Sequence, residues 1–202
     1  MSEGLSRVPP ANDSDAPVDV RIARTLEDLL QVVAIRALVY VGEQSCPFAE
    51  EFDGNDLAGA THLIASVENE PAGVLRMRWF AGFAKAERLS VRESKRGGNV
   101  AKALIDAGSA LAARKGYTMI LGHIEPALLA FWKRNGAVRE RPGRPPVEFS
   151  DRYYIEVIKD IAPVADALSL DSPALVLLRP EGEWDAPGVL DRSLHRRGGR
   201  AR

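Results

Sequence analysis

A mixed α/β domain, with a mostly antiparallel sheet flanked by helices, is the fold class this sequence predicts. Three observations predict it. Strand-like runs are joined in some places by tight turn signals and in others by amphipathic stretches, so hairpins and helical crossovers coexist. A glycine-rich turn, Arg96-Gly97-Gly98-Asn99, sits directly between a strand-like run and an amphipathic helix. A chain of 202 residues, 46% of them hydrophobic, has enough apolar surface for one core of ordinary size plus some tail.

The same composition excludes several function classes. With 27 Lys+Arg against 28 Asp+Glu the formal net charge is -1, so no global field recruits nucleic acid. The only cysteine, Cys46, rules out an internal disulfide framework and fits a reducing compartment. No basic segment precedes an apolar stretch, and no apolar run is long enough to cross a bilayer, so a soluble, cytoplasmic protein with no membrane span is expected. No metal-ligand spacing is recognisable, and none is assigned.

Residues 1–17 combine Ser, Gly, Pro, Asn and Asp without apolar periodicity and read as a flexible leader. A strand over 18–23 follows. Thr25 then caps a helix that presents Leu26, Leu29, Leu30, Val33, Ile35 and Val39 to the core. The next stretch, 40–56, mixes aromatics with carboxylates and is interrupted by Pro47 and Gly54. It reads either as a solvated acidic loop or as a wall facing a cationic amine, with Glu43, Glu51 and Asp53 as the groups that would meet it and His62 nearby in the following strand.

Residues 61–67 form a strand, Asn69-Glu70-Pro71 a turn, and 72–80 the hairpin partner. After the turn at Ala81-Gly82-Phe83, a further strand runs over 87–91. The glycine turn and a helix come next, with Val100, Leu104, Ala107 and Leu111 on one face and Gly116 as its stop. Free amides at such a helix start, with the positive end of the dipole, attract an anion, and glycine lets a bulky diphosphate approach the backbone. A turn without a ligand is the plain alternative. The strand at 117–123 lies parallel to the one ending at Val91, because a helix is the crossover between them.

Pro126 starts another helix, with Phe131 and Trp132 on it, which Asn135-Gly136 ends. A final hairpin pairs 137–141 with 153–158 across the Pro/Gly-rich segment 142–146. Beyond Asp160, Pro163, Pro173, Pro180 and Pro187 break the chain, and 174–178 reads as one extra strand. The basic tail at 192–202 reads as a solvated end, or as a contact for nucleic acid, anionic lipid or an acidic partner. The domain division is therefore 1–17, 18–160 and 161–202.

The element order, together with Glu87-Arg88-Leu89-Ser90-Val91, residues 96–104 and Phe131-Trp132-Lys133-Arg134-Asn135-Gly136-Ala137, resembles the GNAT superfamily of acyl-CoA-dependent N-acyltransferases. The likeness spans residues 18–159. Gly42-Glu43-Gln44, with Glu51, Asp53, Asp56 and His62, is similar to a GNAT subgroup with a Glu-Gln signature. Homoserine-lactone synthases and N-acyl amino acid synthases share the fold and show a related acidic segment. The resemblance implies a sheet whose central parallel pair is splayed, with the thioester and pantetheine between the two strands. It also implies a coenzyme A diphosphate on the backbone of Arg96, Gly97, Gly98, Asn99, Val100 and Ala101, and pantetheine contacts at Leu89 and Val91.

Asn99 stands where the family places glycine, and as an N-cap its side chain would compete with phosphate for an amide. Trp132 replaces the tyrosine that serves as thiolate acid, and Glu125 replaces an asparagine. Indole supplies no acidic proton, so water, Tyr153 or His123 takes that role. Glu87 is the candidate base, with burial expected to raise its pKa, or else it forms a surface ion pair. A backbone amide near Leu89 or Val91 is the oxyanion donor. His62 and His123 are proton carriers or structural side chains, and direct transfer leaves Cys46 without a nucleophilic role.

Three functions follow. One is transfer of an acetyl or other acyl group from acetyl-CoA or another acyl-CoA to a primary amine by direct attack in a ternary complex. Another is long-chain N-acyl transfer from acyl-CoA or acyl carrier protein. The third is a catalytically silent fold used for binding or assembly. The acceptor is a small-molecule or protein amine, a homodimer is allowed, and nucleic acid is expected only through the tail.

Overall fold

The structure, a computed structural model, describes residues 16–193. All but the last two residues of the expected leader and all but the first two of the basic tail lie outside the described residues.

Strand β1 (Val18–Ile22) leads to helix α1 (Leu26–Arg36) through a capping box. The Asp28 amide donates to Thr25 Oγ1 at 3.1 Å, and the amides of Arg24 and Thr25 donate to Asp28 Oδ2 at 2.8 and 3.1 Å. These bonds satisfy donors that a helix start otherwise leaves open, and they hold the Asp28 carboxyl at about 2. The box turns Asp28 inward and rotates the buried stripe to Val32, Ile35, Arg36 and Val39. Leu26 and Leu30, expected in the core, are 68% and 59% exposed. Past Arg36 the winding loosens into a π-helical segment, Ala37–Glu43, a form that often marks functional sites. The short helix α2 (Phe48–Glu51) follows.

β2 (Thr61–Val67), β3 (Glu70–Phe80) and β4 (Phe83–Val91) form an antiparallel meander. The first turn is tighter than expected: Glu68 and Asn69 both take positive φ, so β3 begins at Glu70. Helix α3 (Val100–Arg114) crosses to β5 (Met119–Ile124), and a 3-10 turn (Pro126–Leu128) introduces α4 (Leu129–Gly136). The left-handed residue that ends α4 is Ala137 rather than Gly136.

Three strands close the sheet: β6 (Arg139–Glu140), β7 (Val147–Phe149) and β8 (Arg152–Asp160). Its order is β1-β2-β3-β4-β5-β8-β6, with β7 pairing β8 off this path. All pairings are antiparallel except β4 with β5, so the mixed, mostly antiparallel sheet predicted from sequence is present.

Alternation along β2 and β3 divides the core. Leu63, Ala65, Leu75 and Met77 meet Val100, Leu104 and Leu111 of α3, whereas Ile64 and Val74 meet Val32 and Ile35 of α1. The sheet thus lies between the two helices. The segment 174–178 is not a strand. Pro173, with φ -53, opens a four-residue helix α5 (Ala174–Leu177), and a last helix α6 (Val189–Ser193) ends the described chain. Proline fixes the φ of a helix start, and Ala and Leu favour winding when no sheet edge is at hand. Among the described residues no helix is long and apolar enough to cross a membrane.

Candidate active site

The parallel pair positions the site. β4 and β5 pair only at Ala84 with Ile120 and Lys85 with Leu121. Past that point no register joins them, and a cavity of about 830 Å³ lies where Glu87, Leu89 and Val91 of β4 face Gly122, His123 and Ile124 of β5. β4 also carries a bulge: between the pairs Val74–Ser90 and Arg76–Glu87, Arg88 and Leu89 stand opposite the single residue Leu75. Arg88 holds φ +56, a left-handed conformation that costs a side-chain-bearing residue about 1–2 kcal/mol.

The end of the cavity expected to take a diphosphate is built by the start of α3. Arg96, Gly97, Gly98, Asn99 and Ala101 line the cavity, whereas Val100 turns into the core beneath β3. Gly97 has φ +84 and a Cβ there would meet nothing within 4 Å, so the requirement for glycine is conformational. Asn99 makes no side-chain capping bond at the start of α3, contrary to the expectation of a competing cap. Arg96 is committed elsewhere: Nε donates to Val91 O at 3.0 Å and the guanidinium pairs with Glu43. Tyr40 on the π segment donates to Leu89 O at 3.0 Å, and burial pushes its phenol up to about 12. The carbonyls of Leu89 and Val91, where backbone contacts with pantetheine were expected, each already hold a protein donor, which leaves the slot itself and the turn amides to receive a donor. The slot and the open helix start fit an elongated diphosphate-bearing thioester.

The acidic segment is largely exposed, with Glu51 buried, but it is not bare. Three arginines enter from β3, β4 and α1 and take up Glu51, Asp53 and Asp56. Arg36, 0% exposed, has Nε 2.5 Å from Glu51 Oε1 and Nη1 2.5 Å from Asp56 Oδ1. Arg76, 1% exposed, bonds Asp53 Oδ2 at 2.7 Å, Asp56 Oδ1 at 2.8 Å and Glu87 Oε1 at 2.8 Å. Arg88 Nε lies 2.9 Å from Glu51 Oε2, and its Nη2 donates to Glu50 O at 2.8 Å. Burial pushes Glu51 up, while Arg76 and its neighbours outweigh burial at Asp53 and Asp56 and draw both down.

Glu87 lines the cavity with Lys85 Nζ 2.7 Å from Oε2. Burial alone would raise its pKa, as expected from sequence. Lys85 and Arg76 reverse the sign, and the group is held below its ordinary value.

A second cavity of about 690 Å³ adjoins the first and shares Tyr40, Gln44 and Tyr154 with it. Cys46, Glu50, Glu51, Asp53, Arg88, Phe149, Asp151 and Arg152 also line it, with Ser45, Pro47 and Ser150. The structure thus brings Glu51 and Asp53 to this cavity and Glu43 to the first, but not His62, which is buried on β2 with Nε2 3.1 Å from Asp56 O. His123 lines the first cavity, and burial keeps its pKa down. Tyr153 is 62% exposed and lines neither. Among the described residues no group of three His, Cys, Asp or Glu could hold a metal ion.

Sequence reasoning gave no role to Arg36, Arg76 or Tyr154, although Gly73-Val74-Leu75-Arg76 belongs to the stretch that resembles the Glu-Gln subgroup. The two arginines carried a signal: Arg36 shares the stripe of Val32 and Val39, and Arg76 follows Val74 on the face of β3 that meets α1. A charge on an apolar stripe implies a buried partner.

A model of the acetyltransferase (GNAT) family matches residues 29–137. The uncharacterized N-acetyltransferase YjcF of Bacillus subtilis is 29% identical over 115 residues, 57% of this chain and 81% of that protein. An acyl-CoA N-acyltransferase from Pseudomonas aeruginosa superposes with TM-score 0.63 at 23% identity, covering 71% of this chain and 99% of the other. A coenzyme A-dependent acyl-homoserine lactone synthase, solved with SAM and isopentyl-CoA, superposes with TM-score 0.59 at 16% identity over 73% and 84% of the two chains. Since the family match takes in more than half of the chain and runs through the bulge, the glycine turn and both parted strands, the chain belongs to the acetyltransferase (GNAT) family, which draws its acyl groups from acyl-CoA.

Proposed function

We propose that the protein transfers an acetyl group from acetyl-CoA to a primary amine by direct attack in a ternary complex. The observation that carries this reading is the parted β4–β5 pair, with an open helix start at one end and a second, acid-lined cavity joined to it at the other. In this reading the first cavity takes the donor, with the turn from Arg96 to Ala101 at its diphosphate and the strand edge at Leu89 and Val91 along its pantetheine. The bound donor supplies an activated thioester carbonyl. The second cavity takes the acceptor.

A short acyl group suits the inner end of the slot. Met77 is wholly buried and Leu75 is 2% exposed. Both close on Gly108 of α3, where an added Cβ would stand 2.9 Å from Leu75 Cδ2 and 3.2 Å from Met77 Sδ. Gly108, Leu75 and Met77 also line the cavity, so this close approach of α3 to β3 narrows the slot there.

The acceptor wall carries more negative than positive charge once the internal pairs are set aside. Arg88 is held by Glu51, and Arg152 Nη1 lies 2.7 Å from Glu125 Oε1. Among the described residues the Glu50 carboxylate accepts only from Ser150, and Asp151 has no ion pair. A cationic amine is attracted there as an ammonium and reacts as the free base. Glu87 receives its proton directly or through a water. Lys85 and Arg76 keep Glu87 ionised, so it works as a weak base that passes the proton on. Holding both reactants in line supplies much of the rate.

Calorimetry with acetyl-CoA, followed by thiol release across a panel of amines, tests the reading. Binding, turnover and a loss of about 10²-fold in kcat for Glu87→Gln are expected. A folded protein that binds no acetyl-CoA at millimolar ligand overturns it.

A further inference from the structure

We propose that Tyr154, carried on β8 and not on α4, gives its hydroxyl proton to the departing thiolate; this rests on the acyl-transfer reading above. The family position on α4 holds Trp132, whose indole is a hydrogen-bond donor without an acidic proton. The proton must then come from elsewhere on the cavity wall.

Among the described residues, each of the other tyrosines is committed or absent from the wall. Tyr40 spends its hydroxyl on Leu89 O. Tyr117 stacks on Trp79 at 5.3 Å and lines neither cavity. Tyr153 is exposed to solvent. Tyr154 lines both cavities at their junction, where the acceptor of one meets the donor of the other. Its ring is stacked on Phe149 at 3.8 Å and 4°, which fixes its plane, and its hydroxyl has no hydrogen-bond partner among the described residues. A half-buried phenol with a fixed ring and an open hydroxyl is poised for an incoming atom.

The titratable neighbours are Glu125 before the 3-10 turn, Arg152 on β8, Cys46 on the loop after the π segment and Arg88 on the β4 bulge. Burial, with Glu125 second, keeps the phenol protonated through the neutral range. His123 lines only the donor cavity, and its imidazole is kept neutral by burial and by Lys85.

The step balances. The carbon–sulfur bond breaks with its electron pair on sulfur, the Tyr154 O–H bond breaks, and an S–H bond forms. The phenolate is reprotonated by the proton the acceptor nitrogen gives up. The β7–β8 hairpin, in place of α4, therefore carries the acid.

The test uses the full-length protein with coenzyme A itself. A phenol donating to sulfur favours the thiolate, so the bound thiol, followed by its ultraviolet thiolate absorbance with S-methyl coenzyme A as the blank, should titrate about one pH unit higher in Tyr154→Phe than in the wild type. Phenylalanine keeps the stack on Phe149, so coenzyme A affinity should be unchanged while kcat falls about 10²-fold at constant KM. An identical thiol titration in the two proteins overturns the role of Tyr154 and leaves the acyl-transfer reading standing. Absence of coenzyme A binding in the wild type overturns both.

Discussion

At the scale of single residues, Arg76 ties together three carboxylates from two separate segments. It enters the interior on β3 and meets Asp53, Asp56 and Glu87 within 2.9 Å while only 1% exposed. Removing one partner of a buried pair leaves charge under-compensated, and here three carboxylates lose a shared cation and keep only Arg88, Arg36 or Lys85. Arg76→Met is expected to cost about 3–5 kcal/mol in urea unfolding. The acid dependence follows from the same contacts. Asp53, Asp56 and Glu87 have folded pKa values below their unfolded ones, so the stability they add is present above about pH 4 and is lost as pH falls through the folded values. Glu51 acts in the opposite sense: burial raises it, so its contribution is lost as pH rises through its folded value. A stability profile measured between neutral and acid pH should therefore drop on the acid side in the wild type and flatten there in Arg76→Met. This network was hidden in the sequence because the acidic stretch and the arginines lie in separate segments. A charge on the stripe of Val32 and Val39, and another beside Val74 on β3, pointed to it.

At the scale of elements, the start of α3 depends on how closely it lies on β3. Gly73 faces Val100, the first residue of the helix, and an added Cβ would stand 2.8 Å from Ser90 O and 2.9 Å from Val100 Cγ1. A backbone oxygen cannot swing aside as a side chain can, so Gly73→Ala should destabilise by about 1–3 kcal/mol and also weaken coenzyme A by shifting the turn. Gly97→Ala separates the two effects. It meets no neighbour but must hold φ +84, so a stability cost of about 1 kcal/mol is expected together with a loss of coenzyme A affinity in calorimetry. Equal affinity in wild type and Gly97→Ala would show that the turn does not hold the diphosphate. The strands and α3 were legible because burial on one face imposes a period on them, as in Thr61–Val67 and Val100–Arg114. β7 was not, since its three residues are all exposed and carry no alternation. The short helix α5 was misread for the related reason that four apolar residues fit either period.

At the scale of the whole molecule, the segment after Asp160 is fastened to the sheet and to α3 although prolines break it. The Ile161 amide donates to Thr118 O and the Leu168 amide to Arg114 O, both at 2.8 Å. Thr61 Oγ1 donates to Glu181 Oε2 at 2.8 Å and accepts from Trp79 Nε1 at 2.9 Å. Lys115 pairs with Glu181 and lies 4.2 Å above the Trp79 ring. Trp184, 7% exposed, belongs to the same apolar cluster as Leu104 and Met77. The extension therefore shares the core of the catalytic fold, yet none of its described residues lines either cavity. Trp184→Ala should cost about 3–5 kcal/mol, the range for truncating a large buried aromatic. Truncation after Asp160 should lower the unfolding midpoint further, because it strips the ion pairs as well as the indole. In both variants coenzyme A affinity, measured well below the unfolding temperature, should match the wild type. A truncated chain that unfolds at the wild-type urea concentration would show that the cluster around Trp184 is dispensable. Loss of coenzyme A binding in a truncated protein that stays folded would instead place the extension's influence at the site, since destabilisation alone cannot change the affinity of the folded fraction.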